Sequence, residues 1–490
     1  MAEEPAGRDK TVGSMTVPAA NERPSRLAAA QRVVLSGWGG NPRSAADVIR
    51  PGSLSEVVPM LAEMRERSRS VLARGLGRSY GDAATSAGSV VIDLTGADRV
   101  VRTDGAVVTV EAGLSLDALL AWSVPKGWFV PVTPGTRYVT IGGAIASDVH
   151  GKNHHREGSL GGWVRSLRIA TPDGEIEASP DGEHADAFWT TVGGMGLTGV
   201  ILEASIEMIP IETSLVSVDT ERATDLDECM RLMSAGDAGY RYSVAWVDCL
   251  RRGRGLGRAV LTRGDHASLA ELESAPKKPR SVTPADPLAY SPRQLARVPF
   301  EAPVRLATLP AVRAFNEAWF RKAPAHRAGE LQPLASFFHP LDFLGDWNRL
   351  YGRHGFTQYQ VVVPFEAAEV VREIIEQLGR SGFPSLFAVL KRFGPANKAP
   401  LSFPAPGWTL ALDIPLGRAG LAELLDRLDG IVADAGGRVY FAKDARLRPQ
   451  LVRSMYPRIG DWQRVRDRLD PDGVFTSDLA RRLHLLGDTT

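Results

Sequence analysis

An α+β fold in two domains is what this sequence predicts, and three observations carry the prediction. The chain has 490 residues, more than the roughly 250–300 at which a single core stops growing. Up to about residue 211, short β-branched runs alternate with helical stretches. Beyond that point the strands are longer and more widely separated, as in a mainly antiparallel sheet with helical cover.

Taken in order, residues 1–28 are polar and rich in Pro, Gly and charge, without the apolar core of a signal peptide, and predict a disordered tail. The first domain is assigned to 29–211. Leu54–Arg67 (LSEVVPMLAEMRER) has the spacing of an amphipathic helix, with Ser53 and Glu56 placed as a capping box and Pro59 as its discordant residue. Strands are expected at Val71–Ala73, Val90–Leu94, Val107–Glu111, Val164–Ala170 and Thr198–Met208, with Pro210 closing the series. The second domain, 212–430, holds expected strands at Tyr240–Val247, Gln358–Val363 and Thr409–Ile414. Within it, 275–305 is rich in Pro, Lys and Arg and predicts a flexible insertion, either a solvated surface loop or a basic lid facing phosphate or anionic lipid. The final stretch, 431–490, returns to strand-like character at RVYFAKDAR and ends in a helical segment around Asp478–Leu485.

Composition narrows the function classes. At 44% hydrophobic and 23% charged residues the chain is an ordinary globular one, and its formal charge of +1 lacks the positive field of a nucleic-acid binder. Two cysteines, Cys229 and Cys249, are too few for a disulfide framework or a zinc site; they fit a reducing compartment and leave a single disulfide open. No apolar run approaches the roughly 20 residues that cross a bilayer. The expected location is therefore cytoplasmic or peripheral at the plasma membrane, with the periplasmic face left open.

Three glycine-dense loops carry the chemistry. The first, Arg74 to Asp82 (RGLGRSYGD), follows a strand directly, and its glycines let backbone amides converge on an anion such as a pyrophosphate. A dinucleotide fingerprint of the Rossmann type is ruled out, because Tyr80 stands where the third glycine belongs. The second loop runs from Pro134 to His155, where Thr140, Gly142 and Gly143 offer hydroxyl and amide donors and Ala144 and Ala146 allow close packing. The third, Phe188 to Gly199 (FWTTVGGMGLTG), adds more flexible backbone. Three such loops in one domain imply a large ligand. His150, His154 and His155 do not predict a metal site, since Gly151, Lys152 and Asn153 disfavour the helix that would aim them together.

The wording GLGRSYGD, PGTRYVTIGGAIASDVHGKNHH, QYQ at Gln358–Gln360, KRFGPANKAPLSFP from Lys391 and YFAKDAR resembles the decaprenylphosphoryl-β-D-ribose oxidases of mycobacteria and their relatives, within the vanillyl-alcohol oxidase superfamily. The resemblance runs from about Arg32 to the C-terminus. It implies FAD held between two α+β subdomains, against Ala73, Arg74, Gly75, Leu76, Gly77, Arg78, Ser79, Tyr80, Gly81 and Asp82 in the first loop. In the second loop it implies Gly135, Thr140, Ile141, Gly142, Gly143, Ser147, Asp148, Val149 and His150, with Ile201 and Tyr440 completing the site. Superfamily members that bond FAD covalently usually have a His where Arg78 stands, so dissociable FAD is expected.

The activity implied is oxidation of the ribose 2-hydroxyl of a polyprenyl-phosphate sugar, with a short-chain reductase partner completing epimerisation to arabinose for cell-wall polymers. Alcohol oxidation by a flavin needs a base for the hydroxyl proton. His150 and Lys443 are the catalytic candidates; the bland alternatives are a hydrogen-bonded loop histidine and a surface Lys443–Asp444 ion pair. Tyr80, Lys152, Trp246, Gln358, Gln360, Lys391, Phe393, Ala411 and Lys443 are expected along the substrate pocket, the lysines for phosphate and the glutamines for ribose hydroxyls. The sequence departs from the family at Ala411, where a cysteine is usual, at Thr409 (usually Asn) and at Phe338 (usually Tyr). Two other functions fit the same loops: oxidation of a free sugar, alditol or aldonolactone, and a flavin-binding partner without catalysis.

Overall fold

The computed structural model describes residues 30–275, 286–302, 308–385 and 387–487. The expected tail at 1–28 and much of the basic insertion, 276–285 and 303–305, lie outside the described residues.

Two small sheets are built by residues 31–207. The first orders its strands Gln31–Ser36, Arg43–Ile49, Val90–Asp93, Val71–Arg74; the outer pair at the Gln31 end is antiparallel and the other two pairings are parallel. The second is antiparallel throughout, in the order Val100–Asp104, Val107–Glu111, Val200–Glu207, Val164–Thr171, Gly174–Ala178. Its inward residues, among them Val108, Val110, Leu167, Ile169 and Ala204, share a core with the short helix Ile141–Ala146 of the second glycine loop.

The helix foreseen at Leu54–Arg67 forms as a 3₁₀ turn, Leu54–Glu56, leading into an α-helix, Val57–Glu66. Pro59 sits in the first turn of the α-helix, where an amide lacks an intrahelical partner, so its missing N–H is harmless. The capping box does not form: Ser53 Oγ pairs with Ser55 Oγ, and Glu56 accepts from the Gly52 amide instead.

An eight-stranded sheet dominates the rest. Its order is His326–Pro333, Leu215–Ala223, Ala259–His266, Tyr242–Val247, Ala388–Phe393, Gly407–Pro415, Phe356–Val363, Arg438–Val439, with every pairing antiparallel. Helices Ala368–Ser381 and Leu421–Asp434 cover one face. Val370, Val371, Ile374, Ile375 and Leu378 recur at helical spacing and pack with Tyr359, Val361, Leu390, Leu410 and Leu412 from the strands. Because side chains alternate along a strand, the neighbours Gln358, Gln360, Ala411 and Lys391 are turned to the opposite face. The expected strand character of RVYFAKDAR stops at Val439; Tyr440–Asp444 is a tight turn, with the amides of Lys443 and Asp444 both donating to the Tyr440 carbonyl.

Candidate active site

Register across the large sheet assembles the polar face. Trp246 pairs with Val389, Val389 with Ala411 and Ala411 with Gln360, so these four form one row across four strands. One step along, Lys391 pairs with Thr409; on the other side, Gln358 pairs with Asp413. Gln358 Nε2 donates to Asp413 Oδ1 at 2.6 Å. Asp413 was not singled out from sequence, although Thr409, Ala411 and Asp413 show the same period-two spacing as Gln358 and Gln360.

The second glycine loop brings His150 to this face. Its backbone is pinned by Asp148, which is buried at φ +41° and accepts from Ser159 Oγ (2.8 Å), the Gly161 amide (2.9 Å), Asn397 Nδ2 (2.6 Å) and Ser402 Oγ (2.5 Å). Its side chain therefore ties the loop to the KRFGPANKAPLSFP segment. His150 Nε2 lies 2.8 Å from Gln360 Nε2, and its ring packs against Phe393, Tyr440 and Phe403. Burial, with the charge of Lys391 next, pushes the His150 pKa well below its ordinary value. His154 and His155 have other partners: His154 Nδ1 accepts from the Gly394 amide, and His155 Nε2 lies at the carbonyls of Asp237 and Tyr240.

From the opposite side the Tyr440–Asp444 turn presents Lys443. Tyr440 is anchored through its hydroxyl to the Ser147 carbonyl (2.7 Å) and through its amide to the Gln360 carbonyl (3.0 Å). The Lys443 ammonium lies 3.8 Å from the centre of the Tyr80 ring. The alternative Lys443–Asp444 ion pair does not form, because Asp444 is turned the other way, towards Arg482. Burial lowers the Lys443 pKa to about 7, with Asp413 opposing and Lys391 adding to the fall. The Asp413 carboxyl, also buried, is raised to about 7.

Lys391 lies near Lys443 and His150, its own pKa lowered by burial to about 8, with the Phe393 ring 5.8 Å away. Lys152 is lowered to about 7 by burial and then by Lys391; its ammonium donates to the Phe337 carbonyl and lies 4.2 Å from the Phe337 ring. Phe338 is fully buried in an aromatic cluster with Phe129, Tyr242 and Phe337.

The first loop fits a pyrophosphate. Among the described residues, the five successive amides of Gly75, Leu76, Gly77, Arg78 and Ser79 donate to no protein acceptor, and Gly77 at φ +63° gives the turn that gathers them. The expectation of free amides in the second loop is corrected: Gly142 donates to the Ala112 carbonyl and Ile141 to Leu114, while the Gly143 amide donates to the capping Thr140 hydroxyl. That hydroxyl keeps its own proton to give. The side chains of Arg74 and Asp82 are engaged internally, Arg74 by the carbonyls of Ser36 and Ala84 and Asp82 by Arg482. Arg78 donates to the Tyr138 carbonyl and stacks 3.8 Å over Trp38. Ile201 is buried at a register shift in the five-stranded sheet. His150 Nδ1 is buried without a partner, a further polar atom left for a ligand.

Known proteins resemble both parts of the chain. A family model described as an FAD binding domain matches residues 45–179, and one described as D-arabinono-1,4-lactone oxidase matches 354–483. Decaprenylphosphoryl-beta-D-ribose oxidase of Mycolicibacterium smegmatis is 46% identical over 457 residues, covering 92% of this chain and 97% of that protein. L-gulono-1,4-lactone dehydrogenase of Mycobacterium tuberculosis is 25% identical over 461 residues, covering 92% of this chain and 99% of the other. L-gulonolactone oxidase of Mus musculus is 30% identical over 188 residues, 37% of this chain and 42% of that protein. With an FAD-binding half, a substrate sheet of the lactone-oxidase type and that extent of identity, the chain belongs to the decaprenylphosphoryl-β-D-ribose oxidase family of FAD-dependent oxidoreductases.

Proposed function

We propose that the chain oxidises the ribose 2-hydroxyl of decaprenylphosphoryl-β-D-ribose to the 2-keto sugar. The observation that carries this reading is the convergence of Lys443, His150, Gln358, Gln360 and Asp413 on one sheet face, with Lys391 beside them. Oxidising a secondary alcohol removes a hydride from carbon and a proton from oxygen. FAD, when bound, supplies the two-electron oxidising equivalent that takes the hydride.

Lys443 accepts the proton. A lysine whose pKa lies at about 7 is substantially neutral at physiological pH and has a lone pair to offer. His150, pushed far below neutrality and held at Nε2 by Gln360, is the weaker base and serves to orient the sugar. Gln358 and Gln360 bind ribose hydroxyls, and Lys391, which has no carboxylate partner among the described residues, meets the phosphate. The keto product then needs a hydride returned on the opposite face to give the arabinose epimer for cell-wall arabinan, the work of a short-chain reductase partner. A polyprenyl tail keeps the substrate in a bilayer. The enzyme meets that substrate where the bilayer presents its sugar head to water; no helix among the described residues is long and apolar enough to cross a membrane.

Anaerobic flavin reduction tests the reading. A short-chain prenylphosphoryl ribose should bleach the bound flavin, whereas free ribose and aldonolactones at the same concentration should not. Faster bleaching by a lactone would move the assignment to the free-sugar class, and an unchanged yellow spectrum with every sugar would remove the activity.

A further inference from the structure

The last helix, Asp478–Arg482, reaches into the active-site region, and its final residue touches both sides of it. Arg482 donates from Nε and Nη2 to the two oxygens of Asp82, each at 2.8 Å. The same Nη2 lies 2.9 Å from Asp444 Oδ2, and Nη1 donates to the Leu447 carbonyl at 2.9 Å. Asp82 belongs to the first glycine loop and Asp444 follows Lys443 directly. One guanidinium therefore bridges the loop that carries Tyr80 and the turn that carries Lys443.

Those two segments are also in backbone contact. The Tyr80 amide donates to the Ala442 carbonyl at 2.9 Å. Gly81 lies so close to the turn that an added Cβ would stand 1.8 Å from the Asp444 carbonyl oxygen, which leaves glycine as the residue that fits. Asp82 and Asp444 are both buried, at 3% and 5% exposure, and the Asp82 carboxyl is raised above its ordinary value by burial, with the neighbouring Asp444 adding to the rise. The amides of Arg446 and Leu447 hold Asp444 Oδ1, and a cation between the two buried carboxylates offsets their repulsion, a task that a planar guanidinium with several fixed donors suits better than an ammonium. The helix is itself fixed: the Asp478 amide donates to the Thr85 carbonyl, and the Asp478 carboxylate accepts from the Ala87 amide and the Ser44 hydroxyl.

We propose that Arg482 is a positioning residue for Lys443: by clasping Asp82 to Asp444 it holds the Lys443 amino group over the Tyr80 ring, in register with the polar sheet face. The proposal rests on the reading of Lys443 as the proton acceptor, and its placement claim is testable without any substrate. Peptide-resolved amine labelling of the FAD-loaded enzyme with trace acetic anhydride compares three half-buried lysines at once. In Arg482→Gln, Lys443 should label at least about fivefold faster than in the parent protein, while Lys391 and Lys152 keep their rates. Arg482→Lys should recover part of the protection. With a short-chain prenylphosphoryl ribose, kcat should fall about tenfold in Arg482→Gln with KM and flavin content changed less than about twofold.

Unchanged Lys443 labelling, or an equal rise at all three lysines, would overturn the proposal in favour of a purely structural arginine. If Arg482→Gln fails to fold, Asp82→Asn separates the first loop from the clasp while leaving the arginine on Asp444, and the same selective rise at Lys443 is expected. Absence of turnover in the parent enzyme would count against the substrate assignment alone, since the labelling result stands apart from it.

Discussion

Gln358 Nε2 donates to Asp413 Oδ1 at 2.6 Å between opposite residues of adjacent strands, and this carboxyl, itself raised to about 7 by burial, opposes the fall of the Lys443 pKa. Lys443 also faces Tyr80 from the first loop and Lys391 from the sheet. Its proton-accepting form is the neutral amine, so flavin reduction by substrate should rise with pH through about 7 and level off above it. Asp413→Asn removes the opposing charge and lets the Lys443 pKa fall, so the rising limb should move to lower pH, by about one unit. Stopped-flow flavin reduction between pH 5 and 9 reads both limbs; a limb that stays put would separate Asp413 from Lys443.

Asp148 gathers four donors in the interior, from Ser159, Gly161, Asn397 and Ser402. Asp148→Ala leaves those donors without an acceptor and should cost about 2–4 kcal/mol of stability. Asp148→Asn should cost less, since asparagine tolerates the left-handed backbone at this position and keeps one acceptor oxygen. Thermal unfolding of the flavin-loaded proteins should rank parent, Asn variant and Ala variant in that order.

Arg78, stacked on Trp38 and bonded to the Tyr138 carbonyl, offers no nucleophile that could form a covalent bond to FAD. Flavin should therefore leave the protein on denaturation, and a denaturing gel should show no flavin fluorescence in the protein band. The thiols bear on a second adduct. Cys229 and Cys249 are both buried and form no disulfide, with burial raising the Cys229 thiol to about 12, and the resemblance puts Ala411 where the family usually has a cysteine. Intact-mass measurement after incubation with a thiol-directed nitroaromatic inhibitor should show no added mass.

The flavin half was legible in the sequence because its loops are contiguous: nine residues from Arg74 to Asp82 contain a whole amide nest. On the polar sheet face the resemblance named Gln358, Gln360 and Lys391, and the register of the strands brings them to one face. Asp413 shares the period-two spacing but lies in a run of apolar residues, and a carboxylate there gains meaning only from the strand paired beside it. The Lys443–Asp444 alternative failed because neighbours on a tight turn point apart. The second loop misled for a local reason, since Gly142 and Gly143 open a helix whose first amides find acceptors in Ala112 and Thr140. Arg482 left no trace in sequence at all, because its partners lie 400 and 38 positions upstream.

That separation has a consequence for how the enzyme matures. Chains are made from the N-terminus, and N-terminal parts fold first. The first glycine loop emerges 400 residues ahead of the arginine that joins it to the Lys443 turn. Until then the Tyr80 and Lys443 segments have no common anchor on the final helix. The clasp is thus completed only after Arg482 has been made, and a truncated product ending before it would carry the flavin loops and the Lys443 turn without the guanidinium that joins them.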